Sequence, residues 1–419
     1  MVRLAAVLAL ALCTGWTAPA SEEPEGLLDR FLVHMRAELD NVPDYVCTQV
    51  TERLVRSTSE QSWSRMDTWR FEVALAGGQE LYALPGAARF DDRPLSHMVG
   101  RGTISTGKLG LLARNVFSLP QRHFEYRGQA ERDGRAAHEF AYDAPPAQSG
   151  FRVRHGTEEA VVAFQGAFWI DAETLDLLRL EIQAYDIPES VALAEADTIL
   201  TYRRLEVGVT EPLLPVAATL AITTADGLES LNRSRFGGCR QFTTESAIRF
   251  DTESKSEGAP AEASDDDYGL PKGTLVQVEL DGGLDLAKAQ IGDPVRARVA
   301  RPVKDGNTVL VEQGAAVLGN LVRLEQVALP YPMYEIGLEF HTLEAGGSPV
   351  RVPMTLYEAG PAAGLLRQAR RLDPTFDKKR KARMEILVRE VQQRQGILHW
   401  DARRATLPPG LRMTWKVLP

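Results

Sequence analysis

A chain of 419 residues, 44% of them hydrophobic, is long enough for two or three cores at roughly 150 residues per domain. Its formal net charge of −9 argues against a nucleic-acid binder and fits an ordinary globular protein.

The chain opens MVRLAAVLALALCTGWTAPA, with Arg3, an apolar run from Leu4 to Cys13 and the small-x-small end Ala18-Pro19-Ala20. This predicts a secretory signal peptide over residues 1–20, cleaved before Ser21. Lipidation at Cys13 is disfavoured by the bulky Leu12 before it. No later segment reaches the roughly 18 apolar residues that a transmembrane helix needs. The expectation is a periplasmic or secreted protein of a Gram-negative bacterium, with no transmembrane segment in the mature chain. Removal of Cys13 leaves Cys47 and Cys239, an even count that favours a disulfide in an oxidising compartment.

In residues 22–41, Leu27, Leu28, Phe31, Leu32, Met35 and Leu39 fall at helical spacing, with Glu22, Glu23 and Glu25 at the positive end of the helix dipole. Pro43 ends that helix. DYVCTQVTERLVR then reads as a first strand carrying Cys47, with Cys239 placed before the last strand of the same domain. Hairpins are predicted around Gly77-Gly78 and Asp133-Gly134. The clearest pair puts Val162, Phe164, Phe168 and Ile170 on one face, turns at Asp171 to Thr174, and returns with Leu178, Leu180, Ile182 and Ala184. Further strands are expected near 198–206, 215–223 and 240–250. Residues 251–269 lack large aliphatics and carry acids against a single Lys255, which predicts a disordered linker. Beyond it, Val276, Val278 and Leu280 alternate, as do Val295, Ala297 and Val299, between glycine turns expected at Gly282-Gly283, Gly292, Gly306, Gly314 and Gly319. A helix is predicted over 376–394 and a closing hairpin around Pro408-Pro409-Gly410.

No strong catalytic setting is present: there is no Gly-x-Ser-x-Gly, no His-Glu-x-x-His, and the seven histidines show no short metal-ligand pairing. Neither a metal nor a cofactor is expected. GRGTISTGKLG approaches a P-loop, but Leu109 stands where the magnesium-binding hydroxyl belongs, so a glycine-hydroxyl loop leading into a helix is expected. Lys378, Lys379, Arg380, Lys381 and Arg383 form a candidate contact patch.

Over residues 25–250, the leading helix and GAFWIDAETLDLLRLE resemble LolA-like lipoprotein carriers, which implies an open half-barrel around a helix with acyl chains on the greasy face. VPDYVCTQ, STGKLG and CRQF resemble a group of exported proteins of acidobacterial type. Over 270–325, Leu270-Pro271, Gly273-Thr274, Gly292-Asp293, Gly314 and Gly319 are similar to the C-terminal β domain of TrbI-type conjugation proteins, with Glu312 where that family has proline. The fold class is therefore α+β and mainly antiparallel β: a helix with a curved open sheet over 21–250, then a small β-barrel or sandwich over 270–419 with one helix. The function expected is a non-catalytic envelope protein binding a lipid-like or apolar ligand on Val162, Phe164, Phe168, Ile170, Leu178, Leu180 and Ile182. The alternative is a component of an envelope complex, docking to a protein partner through the C-terminal β domain.

Overall fold

The structure, a computed structural model, describes residues 24–87, 90, 95–99, 102–118, 123–155, 158–241, 270–327, 332–346, 348–366 and 395–418. The predicted signal peptide, acidic linker, helix 376–394 and the patch Lys378 to Arg383 lie outside the described residues, as do 242–250.

Helix α1 runs Pro24–Asn41 and buries Leu27, Phe31, Met35 and Leu39, a stripe with one residue per turn. Two short helices follow, α2 (Leu95–Met98) and α3 (Leu111–Phe117), the latter burying Leu112, Ala113, Val116 and Phe117. The first part of the chain contributes β1 (Tyr45–Arg56), β2 (Ser64–Ala76), β3 (Gln79–Ala83), β4 (His123–Arg132), β5 (Arg135–Ala144), β6 (Arg152–His155), β7 (Glu158–Val161), β8 (Ala163–Asp171), β9 (Leu177–Tyr185), β10 (Leu193–Arg204), β11 (Leu213–Thr224) and β12 (Glu229–Gln241). Ten of them form one antiparallel sheet in the order β3-β2-β1-β12-β11-β10-β9-β8-β5-β4. The end strands β3 and β4 do not pair with each other, so the sheet is a curled, open half-barrel, as the fold class anticipates.

The remaining strands are β13 (Leu275–Leu280), β14 (Leu284–Asp285), β15 (Pro294–Val299), β16 (Val303–Asp305), β17 (Thr308–Val311), β18 (Ala316–Val327), β19 (Met333–Ala345), β20 (Ser348–Arg351), β21 (Met354–Ala359), β22 (Gly396–Asp401), β23 (Thr406–Leu407) and β24 (Arg412–Val417). The second sheet runs β20-β19-β18-β15-β13-β24-β21, with β22 beside β19. It encloses its own core of Val276, Val278, Phe340, Trp400, Met413 and Trp415.

Three sequence expectations change. Residues flanking Pro408-Pro409-Gly410 do not close a hairpin: β22 pairs with β19, whereas β24 pairs with β13 and β21. Both strands bury alternate residues in one core, and alternation alone does not choose the partner. Gly319 lies inside β18 rather than in a turn, where a side chain would run into the Glu339 carbonyl and the Phe340 ring of β19. Cys239 sits on β12 itself, directly beside β1.

The two sheets meet. Ile291 forms a parallel bridge to Trp69, with Arg70 N donating to Ile291 O (2.7 Å) and Ile291 N to Thr68 O (2.7 Å). Its side chain is buried in the half-barrel core. The Asn320 amide donates to Pro85 O (2.7 Å) and Gly292 O (3.1 Å) across the same seam.

Candidate functional site

The concave face of the half-barrel has an aromatic part and a polar part. At the aromatic part Phe31 of α1 stacks on Phe168 (centroids 5.2 Å), and Phe117 of α3 meets both rings edge-on at 5.2 and 5.1 Å. Phe140 stacks on Phe168 at 5.2 Å. From there the rings continue outward: Phe124 lies 5.6 Å from Phe168, and Tyr126 lies 5.2 Å from Phe140. Phe124 and Tyr126 are half-buried on β4, the strand at the open end of the sheet. The seam therefore leads from the deepest core to an edge.

Of the predicted ligand face, Phe164, Phe168, Ile170, Leu180 and Ile182 all belong to this core and are buried, with Phe31 of α1 and Phe117 of α3 lying on Phe168. Val162 instead packs with Val153, Ala184, Val191, Leu193 and Ala196. Leu178 packs with Ala137 and Trp169 in a separate cluster. The cause is a bulge: pairing slips between Trp169 and Ile170, opposite Arg179 and Leu177, so the extra residue Leu178 leaves the face of Leu180.

The cover is held by ions at its rim. Arg204 donates to both Asp176 oxygens (2.9 and 2.7 Å) and to Glu38 Oε1 of α1 (2.8 Å), while His34 Nε2 lies 3.1 Å from Asp176 Oδ1. Burial works against the Asp176 charge, but the hydrogen bonds from Arg204 and His34 outweigh it and hold the carboxyl below its usual range. Arg114, in α3's last turn, reaches Asp40 at 3.1 Å and the Leu39 carbonyl.

The polar part centres on Glu80 of β3. Its carboxylate accepts from the backbone N–H of Gly107 and Leu109 (2.6 Å each) and from Tyr82 Oη (2.7 Å). The P-loop-like segment thus turns its amides to an internal carboxylate, where a nucleotide site would present them to phosphate. Lys108 is buried and donates to the Ser105 carbonyl. Burial pushes its pKa down to about 8, against the opposing pull of Glu80. Tyr45 Oη donates to Leu109 O (2.7 Å). Burial first, then the Glu80 charge, pushes Tyr45, Tyr82 and Tyr202 up. Further along the same concave surface, Arg53 pairs with Asp67 (Nε to Oδ1 2.7 Å) and Asn232 Nδ2 donates to Thr103 O (2.7 Å). Sequence reasoning marked the loop through its glycines but missed Glu80, Tyr45 and Tyr202, which are single polar residues on ordinary strands.

Cys47 and Cys239 form the expected disulfide, across the neighbouring strands β1 and β12. Among the described residues no group of three His, Cys, Asp or Glu side chains is placed to hold a metal, and no helix is long and apolar enough to cross a membrane.

No family model and no curated protein matches this chain. Among solved structures it is similar to a domain described as an outer membrane lipoprotein-sorting protein from Vibrio parahaemolyticus, at 13% identity and a TM-score of 0.27, covering 52% of this chain and 93% of that one. It is also similar to a DUF1329 family protein from Desulfovibrio piger (12% identity, TM-score 0.29, 53% of this chain and 94% of that one). A LolA superfamily protein from Nitrosomonas europaea matches at 9% identity and a TM-score of 0.27, over 51% of this chain and 94% of that one. Those descriptions belong to the other proteins, and likeness at this level says nothing of what this chain binds.

Proposed function

We propose that this chain is a non-catalytic, exported envelope protein whose half-barrel binds an apolar, lipid-like chain along the aromatic seam. The observation that carries this reading is the continuity of the rings, from Phe31, Phe117 and Phe168 out to half-buried Phe124 and Tyr126 on the open-edged strand β4. An acyl chain entering at β4 would take over contacts that α1 now makes. That helix contributes side-chain packing to the sheet and is fastened at its rim by partly exposed ions, so lifting it breaks no strand ladder. The Cys47–Cys239 bridge fits an extracytoplasmic location.

The test is native mass spectrometry of protein purified from its own envelope, followed by titration of the delipidated protein with a fluorescent fatty-acyl probe. Bound lipid, and at least tenfold weaker probe binding in the Phe124→Ala/Tyr126→Ala variant with an unchanged melting temperature, support the reading. Absence of both lipid and probe binding rejects it.

A second reading, docking to an envelope partner through the second sheet, is favoured by a groove of about 420 Å³ there, lined by Leu280, Leu284, Val295, Leu338 and Leu407 beside Arg296. Loss of a co-purifying complex on substituting Leu284 and Leu407 with glutamate would support it.

A further inference from the structure

We infer that the polar part of the concave face, formed by Lys108, Tyr202 and Ser105, is a seat for the neutral carbonyl head of an acyl ester. This rests on the reading of the half-barrel as a lipid site and names the chemistry of the head that would accompany the chain.

A lysine ammonium carries three donors, and Lys108 spends one, on the Ser105 carbonyl. Tyr202 Oη and Ser105 Oγ are buried and find no partner among the described residues. Trp69 Nε1, on the same concave face, is in the same condition. Lys108 and Tyr202 are each only 3% exposed and Trp69 7%, so bulk solvent does not satisfy them. The Glu80 carboxylate already takes three donors. Buried polar atoms left unpaired cost free energy, and proteins leave few of them. Among the described residues no acceptor reaches the Tyr202 and Ser105 hydroxyls.

Charge narrows the choice of acceptor. Lys108 and Glu80 together are neutral, so a carboxylate or phosphate placed here would add an uncompensated buried charge beside Glu80. A neutral ester carbonyl supplies the lone pairs without the charge. Position agrees with this assignment. Tyr45, Tyr82, Tyr202 and Leu109 share one apolar cluster with Phe168, Phe31 and Phe117, so head and tail sites lie on one continuous surface. Lys108 is also three residues before α3, whose Phe117 covers the tail site, so the loop holding the head and the helix over the tail are one segment. The retention of a lysine in this core, with its pKa drawn down by burial, is consistent with a residue kept for recognition.

The experiment measures binding of methyl oleate, oleate and 1-octadecene to the full-length mature protein by native mass spectrometry or competition with an acyl probe. Wild type is expected to bind the ester at least tenfold more tightly than the hydrocarbon. Tyr202→Phe and Lys108→Met, both of which keep the core filled, should each reduce that preference to about twofold while leaving hydrocarbon binding unchanged. Equal binding of ester and hydrocarbon in wild type, an undiminished preference in both variants, or a preference for oleate over its ester would overturn the inference and leave the apolar site standing. Failure of all three probes to bind would overturn both.

Discussion

Lys108 illustrates how one side chain can be costly to fold and still be retained. A pKa lowered from 10.5 to about 8 means that the folded core disfavours the ammonium by on the order of 3 kcal/mol. The folded pKa lies below the unfolded one, so between about pH 8 and 10.5 the unfolded chain binds more protons and stability rises with pH. Below pH 8 the whole penalty is present. Lys108→Met should therefore stabilise the protein at pH 7 by up to about 3 kcal/mol, with the gain fading towards pH 10.5. Urea denaturation of both proteins across pH 7 to 10.5 checks this, and a variant less stable at pH 7 would contradict it. The sequence showed this lysine only as the end of a P-loop-like string. It is buried beside Glu80, whose charge also bears on Tyr45 and Tyr202; these residues come together from β3, β1 and β10, and no local spacing encodes that meeting.

Elements were far more legible than residues, because each buries one face at its own period. The stripe of α1 predicted its four buried residues, and Gly77-Gly78 and Asp133-Gly134 predicted the β2–β3 and β4–β5 hairpins. Where two strands of equal greasiness compete for one core, as β22 and β24 do, the pattern gave the strands and not their pairing. The bulge that expels Leu178 was hidden for a related reason, since one added residue inverts the faces and leaves composition untouched. Phe31 sits at the hub of the aromatic seam and is fully buried, so Phe31→Ala should cost about 3–5 kcal/mol. A loss below about 1 kcal/mol by urea denaturation would mean that α1 contributes little to the closed state. The disulfide acts on the same sheet through chain entropy: it closes a loop of 192 residues between strands that are neighbours only when folded. The Cys47→Ser/Cys239→Ser variant should lose about 2–5 kcal/mol, chiefly by loosening the unfolded state, with little change in the folded far-UV spectrum.

At the scale of the whole molecule, the question is whether two sheets with separate cores behave as one unit. The sequence pattern predicted strands on either side of residues 251–269, but nothing in it announced that QIGD, just before β15, would reach back to the edge of β2. The seam includes the Ile291 bridge to Trp69, the Arg70–Asp293 ion pair at 3.4 Å, the Arg65 donor to Ala287 O (3.0 Å), and the Asn320 amide on Pro85 and Gly292, itself steadied by His341 Nε2 at 3.0 Å from Asn320 Oδ1. Burial, and secondly Arg351, draw the His341 pKa down to about 4, so the ring is neutral at pH 7, between the Thr342 hydroxyl and the Asn320 amide. Gly292 is the weak point for a test. Its φ of 100° suits glycine, and a Cβ there would run into the Arg70 carbonyl, so Gly292→Ala must push the strap away from β2. Ile291 would be drawn out of the half-barrel core with the strap, whereas the strand ladders of both sheets and the second core contain neither residue, so each sheet should still fold while the coupling between them falls. Calorimetry should accordingly show one cooperative transition for wild type and two for Gly292→Ala, with the earlier shifted down by several degrees. A single transition in the variant, displaced as a whole, would show instead that the sheets are coupled by more than this seam.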